Sequence, residues 1–127
     1  MKKLILFVLP ILLFACSVCN VVKQTSIQEI QFGYGGGVAQ SVTKYSLKPN
    51  GQLYMGQKVI GKVDKRQLLD IYKEAAAIEN ASIDSPSNTF SFINIVKSDT
   101  TVYYCWNILA PISIMELDKK LNNLLPK

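Results

Sequence analysis

Apolar positions along this chain keep a period of two up to about Val63, then a helical period, then a period of two again. Ile30, Phe32 and Tyr34 alternate with Gln31 and Gly33, the mark of a half-buried strand. Val38 to Leu47 reads as a second strand, with Thr43, Tyr45 and Leu47 on one face and Lys44 and Ser46 on the other. The run Leu47-Lys-Pro-Asn-Gly-Gln52 turns the chain, since Pro49 fixes φ and Asn50-Gly51 tolerates positive φ. Leu53 to Met55 then returns as a hairpin partner, and Val59 to Val63 adds another short strand.

From Asp64 the spacing changes. Leu68, Ile71, Tyr72, Ala75 and Ile78 recur at helical intervals, while Lys65, Arg66, Asp70, Lys73 and Glu74 take the other side. Asp64 stands where an N-cap belongs, Gln67 completes a box-like cap, and Asn80 and Ser82 mark the expected end. The Asp-Ser-Pro-Ser-Asn run at 84–88 is a loop. Phe90 to Lys97 and Thr100 to Trp106 follow as two strands around a Ser98-Asp99 turn. The first of these is apolar on both faces, as expected for a strand inside its sheet and covered twice. Val102, Tyr104 and Trp106 line one face of its partner. A last helix begins with a capping box at Ser113-Ile-Met-Glu116, with Ile112 and Leu117 placed as a hydrophobic staple. Leu117, Leu121, Leu124 and Leu125 form its inward stripe. The order β-β-β(-β)-α-β-β-α implies an α+β fold: an antiparallel sheet of about five to six strands with two helices on one face.

Ahead of this pattern stands a different kind of segment. Lys2 and Lys3 precede an apolar run from Leu4 to Phe14, well short of the ~20 residues a membrane-spanning helix needs. A short apolar run after lysines and before a small residue reads as a cleavable signal peptide. Its end, Leu13-Phe14-Ala15-Cys16, resembles the lipobox of bacterial lipoproteins, although Phe14 departs from the usual small or β-branched residue. The chemistry needs a thiol to take a diacylglycerol and a small residue before it for peptidase access. The competing reading is ordinary secretion with cleavage after Ala15 and an unmodified Cys16. The resulting expectation is a signal peptide at 1–15, a lipidated N-terminus and tether at 16–25, and a single α+β domain at 26–127. Ser17 after the cysteine, with no acidic run, points by known sorting rules to the outer membrane facing the periplasm.

The glycine run at 35–37 raises the question of phosphate binding. A Walker-type loop needs Lys and then Ser or Thr directly after the glycines and a helix behind them. Here Val38-Ala39-Gln40-Ser41-Val42 follows in a strand-like pattern, and Lys44 comes too late. The dinucleotide fingerprint would need glycine at Val38. Architecture is the favoured reading. A glycine-rich hairpin tip can also meet a partner, so Tyr34, Gly35, Gly36 and Gly37 are the candidate binding surface. The glycine triplet, the Tyr45-Ser-Leu47-Lys-Pro-Asn50-Gly51 run (Y-x-L-x-x-[D/N]-G) and the later Asn88-Thr-Phe-Ser-Phe-Ile-Asn-Ile95 resemble small uncharacterised lipoproteins of Bacteroidota-type bacteria. That resemblance implies an envelope location and carries over no catalytic residue.

Composition narrows the chemistry. The formal charge is +5; removing Lys2 and Lys3 with the signal peptide lowers it to +3, which argues against a dedicated nucleic-acid binder. The chain contains no histidine, which removes Ser-His-Asp and Cys-His catalysis and the commonest zinc ligand. Cys105 reads as a buried core residue, with a bridge to Cys19 as the competing reading in an oxidising envelope. Asp84 with Ser85 and Asn88 offers too few oxygens for a calcium loop, and a plain turn is favoured there. Lys58, Lys62, Lys65 and Arg66 cluster around a strand-to-helix junction and could face anionic headgroups, with ordinary surface solvation as the plainer reading. Tyr103, Tyr104 and Trp106 are read as core rather than as an aromatic binding face. The functional expectation is a membrane-anchored envelope lipoprotein acting as a non-catalytic binding or structural module, with an envelope protein as partner, no cofactor, no metal and no nucleic acid. The alternatives are an inhibitor or immunity-type protein, or a small His-free hydrolase using carboxylates.

Overall fold

Six antiparallel strands form one open sheet in the order β4-β3-β2-β1-β5-β6. In the computed structural model, which describes residues 25–78 and 88–127, the elements are β1 (Ile27–Gly36), β2 (Ser41–Leu47), β3 (Gln52–Met55), β4 (Lys58–Lys62), α1 (Lys65–Ala76), β5 (Thr89–Lys97), β6 (Thr101–Trp106) and α2 (Ile112–Asn122). This is the α+β fold that the change of period implies.

β1 lies at the centre, hydrogen-bonded to β2 on one side and β5 on the other. The register places Ile30 between Leu47 and Ile95, and Phe32 between Tyr45 and Ile93. Opposed residues of an antiparallel pair share a face, so these rows, continued by Leu53, Val102 and Tyr104, make one apolar surface. Leu68, Ile71, Tyr72 and Ala75 of α1 and Ile114, Leu117 and Leu121 of α2 close over it, all buried. Tyr72 enters the core with its hydroxyl donating to the Leu47 carbonyl at 3.0 Å. That bond satisfies a polar group that would otherwise be costly to bury, and burial pushes the phenol's pKa up, aided by the charge of Glu29.

Several boundaries differ from the sequence expectation. β1 runs on through Gly35 and Gly36, and β2 begins at Ser41 rather than Val38. Pairing of Gly36 with Ser41 leaves 37–40 as the connecting turn, with Gln40 N–H donating to the Gly37 carbonyl. Val38 is therefore fully exposed despite its strand-like character. Asp64 caps α1 as expected, accepting from Arg66 N–H at 2.8 Å, but the helix ends at Ala76 with Ala77 as cap. Asn80, Ser82 and the Asp84 loop lie outside the described residues. The capping box expected at Ser113 does not form: α2 starts at Ile112 behind Pro111, with no side-chain cap. The Pro111 carbonyl instead accepts from Ile114 and Met115 N–H, each at 3.0 Å. Ser113 thus sits inside the first turn, and Ile112, being exposed, is not stapled to buried Leu117.

The sheet face away from the helices is held by polar and aromatic neighbours. Lys48 Nζ lies 3.2 Å from Glu29 Oε2, and Asn94 Nδ2 donates to Gln31 Oε1 at 3.0 Å. On this face Phe92 is buried and stacks on Tyr103, with centroids 6.4 Å apart. β5 is interior to the sheet as expected, but its second face is not fully covered: Phe90, Asn94 and Val96 there are half-buried. Cys105 is free and buried on the same face; Cys19 lies outside the described residues.

Burial alone would raise the Glu29 carboxyl, but hydrogen bonds from Ser46, Lys48 and Gln31 and the Lys48 charge outweigh it and hold its pKa below 4.5. A depressed carboxylate pKa stabilises the fold fully above the unfolded value, and that contribution is lost as pH falls through the folded value. Urea midpoints should therefore fall more for the wild type than for Glu29→Gln between about pH 6 and about pH 3. Equal falls would overturn the assignment.

Candidate functional site

The domain has two unlike ends. The chain enters β1 at Ile27, opposite Lys97, and leaves it at Gly36, between Ser41 and Thr89. At the entry end the register also places Lys62 opposite Gln52, and exposed Lys65 and Arg66 open α1 just beyond β4. Lys58, at the other end of β4, stands apart from this group. At the far end the three converging segments, 30–43, 88–96 and 100–115, contain no charged residue. Among the described residues, most large exposed apolar side chains belong to these segments: Tyr34, Val38 and Val42 on the hairpin, and Ile108, Leu109, Ile112 and Met115 on the β6–α2 connection and the first turn of α2.

Between these two groups lies a cleft of about 290 Å³. β1 contributes Tyr34, Gly35 and Gly36; β2 contributes Ser41 and Thr43; β5 contributes Thr89, Phe90 and Ser91; and Asn107 follows β6. The register explains the gathering, since Tyr34 sits between Thr43 and Ser91 on the helix side of the sheet. Tyr34 is 54% exposed, beyond the part of the sheet that the helices cover. Tyr45 hydrogen-bonds to Tyr34; burial, then the neighbouring phenol, raises the pKa of Tyr45.

The glycines have structural reasons of their own. A Cβ on Gly36 would collide with the Asn88 carbonyl oxygen, and one on Gly35 would press on the Phe90 ring and on Val42. Gly37 N–H donates to that same Asn88 carbonyl, which ties the hairpin to the start of β5. Of the four residues read as a binding surface, Tyr34, Gly35 and Gly36 line the cleft, whereas Gly37 forms the turn beside it. A strand rather than a helix follows the glycines. Thr43, Thr89, Ser91 and Asn107 were not legible as site residues; their one signal is a run of hydroxyls and amides in otherwise apolar strands.

Elsewhere, carboxylates meet a lysine. Lys120 Nζ of α2 lies 2.9 Å from Asp70 Oδ2 and 2.5 Å from Glu74 Oε2 of α1. Hydrogen bonds to Glu74 and Asp70 raise the lysine's pKa. Through this lysine the two carboxylates bridge the helices, and Asp70 and Lys120 also line a smaller cleft of about 130 Å³ with Gln67, Ile71, Asn123 and Leu124. Burial pushes the Asp118 carboxyl up against the opposing bond from Asn122 Nδ2, which is 2.9 Å from Oδ1. Among the described residues, no three His, Cys, Asp or Glu side chains gather in a way that could hold a metal. Of the three aromatics read as core, Tyr104 and Trp106 are buried and Tyr103 is half-buried on the opposite face.

No family model matches the sequence, and no curated protein matches it.

Proposed function

We propose that this protein is an envelope lipoprotein, held to the membrane through acylated Cys16, whose domain binds a partner and catalyses no reaction. The observation that carries the reading is the polarity of the domain. The segment after Cys16 joins the sheet at the end bearing Lys62, Lys65, Arg66 and Lys97, and lysine and arginine near a bilayer are attracted to anionic headgroups. The opposite end projects away from that surface and carries Ile108, Leu109 and Ile112 at 79%, 77% and 78% exposure. Charge depletion around exposed apolar side chains is how the centre of a protein–protein interface is built. The partner in this reading is another envelope protein, engaged by the β6–α2 connection.

Photo-crosslinking in intact cells tests it. A photoreactive residue at Ile108 or Leu109 should capture one envelope protein, and the same residue at Lys62 should not. The yield should fall when Cys16→Ala removes the tether. No captured species from the far end, or the same species from Lys62, would contradict the proposal.

A further inference from the structure

We infer that the cleft beside the glycine hairpin is a binding site for a neutral oligosaccharide, an inference that goes beyond the proposed anchor and protein partner. Its lining contains hydroxyls from Tyr34, Ser41, Thr43 and Ser91, the Asn107 amide, the Gly35–Gly36 backbone and no ionisable carboxylate, ammonium or guanidinium group. An anionic or cationic ligand would be desolvated there without a counter-charge. A ligand rich in hydroxyls matches the lining, because each hydroxyl or amide can donate as well as accept. The exposed Tyr34 ring adds an apolar plane with a polar tip, suited to the C–H face of a sugar ring. At about 290 Å³ the cleft is at the lower limit of small-molecule sites, which run from ~300 to 1,000 Å³, and its size suits one or two rings of a chain that continues past it. Gly35 and Gly36 contribute by letting the flanking strands close in around the cleft.

Gly36 is locked between β2 and β5 by its register with Ser41 and Thr89, while the half-exposed Tyr34 ring stands at the opening, hydrogen-bonded to Tyr45. Trp106, the single tryptophan, pairs with Ser91 and immediately precedes Asn107, so its fluorescence reports on the cleft.

The test uses the full chain, purified in a detergent without a sugar headgroup, and titrated with chitotetraose and cellotetraose. Calorimetry and Trp106 fluorescence should both saturate, with affinity in the roughly micromolar-to-millimolar range. Tyr34→Ala should weaken binding by about tenfold while leaving the circular dichroism unchanged. Asn107→Ala gives an independent second reading and should weaken binding too. Absence of heat with both sugars up to about 10 mM would overturn the inference, as would unchanged affinity in Tyr34→Ala. Tighter binding of anionic tetragalacturonate than of the neutral sugars would also overturn it. None of these readouts depends on Cys16 or on a protein partner, so this inference and the proposed function fail separately.

Discussion

Gly36→Ala should cost the domain about 3 kcal/mol of stability or more, a large share of the ~5–15 kcal/mol typical of a folded domain. Two effects add. Gly36 sits at φ +99°, where an L side chain is strained, commonly by ~1–2 kcal/mol. The new methyl would also point at backbone, with the Asn88 carbonyl carbon 2.8 Å and the Thr89 Cα 2.9 Å from its ideal position. Neither can swing aside as a long side chain would, so β5 must move off β1 and lose the bond from Gly37 N–H to Asn88. Overpacking of this kind costs ~1–3 kcal/mol on its own. Two other glycines serve as controls. Gly37→Ala keeps a positive φ of 81° but meets no atom within 4 Å, so it should lose only the conformational part. Gly61→Ala meets nothing and should be close to neutral. Urea denaturation of the three variants reads this directly. A Gly36→Ala midpoint equal to that of the wild type would show that the hairpin does not press on β5 as described.

That contact also explains why the glycine run looked ambiguous in the sequence. Periodicity identified the helix faces well: Leu68, Ile71, Tyr72 and Ala75 are all buried, as are Leu117 and Leu121. The hairpin around Asn50-Gly51 was legible because turn chemistry is local, and the structure places Gly51 at φ +86°. Long-range pairing was not legible. Nothing between Gln31 and Asn94 announces that β5, and not β3, lies beside β1. Local pattern also misled where an apolar residue serves a turn. Val38 and Ala39 look like strand residues, yet the Gly36–Ser41 pairing forces them into the connection. Ser113-Ile-Met-Glu116 has the letters of a capping box, but Pro111, with φ fixed and no N–H to satisfy, sets the start two residues earlier. The cleft depended on both kinds of information. Tyr34, Gly35 and Gly36 could be picked from one contiguous stretch, whereas Thr43, Ser91 and Asn107 reach them only through the register of four strands.

The second large effect concerns the anchor. In the proposed reading, the acylated thiol of Cys16 supplies nearly all of the membrane affinity. Each buried CH₂ of an acyl chain contributes ~0.8 kcal/mol, and two or more chains make binding stable where one does not. The lysines near the entry end add about 1 kcal/mol each at most, and they are weakened by salt. Among the described residues no helix is long and apolar enough to cross a membrane. Removing the thiol should therefore move the protein wholesale, while leaving the domain folded. Fractionation of cells expressing the wild type and Cys16→Ala, washed in high salt to strip charge-held protein, is the most direct measurement. Wild type is expected in the membrane pellet, with Cys16 as its acylated first residue, and Cys16→Ala in the soluble fraction. If both proteins stay in the pellet after the wash, or the wild type carries no acyl group on Cys16, the protein is not anchored through Cys16.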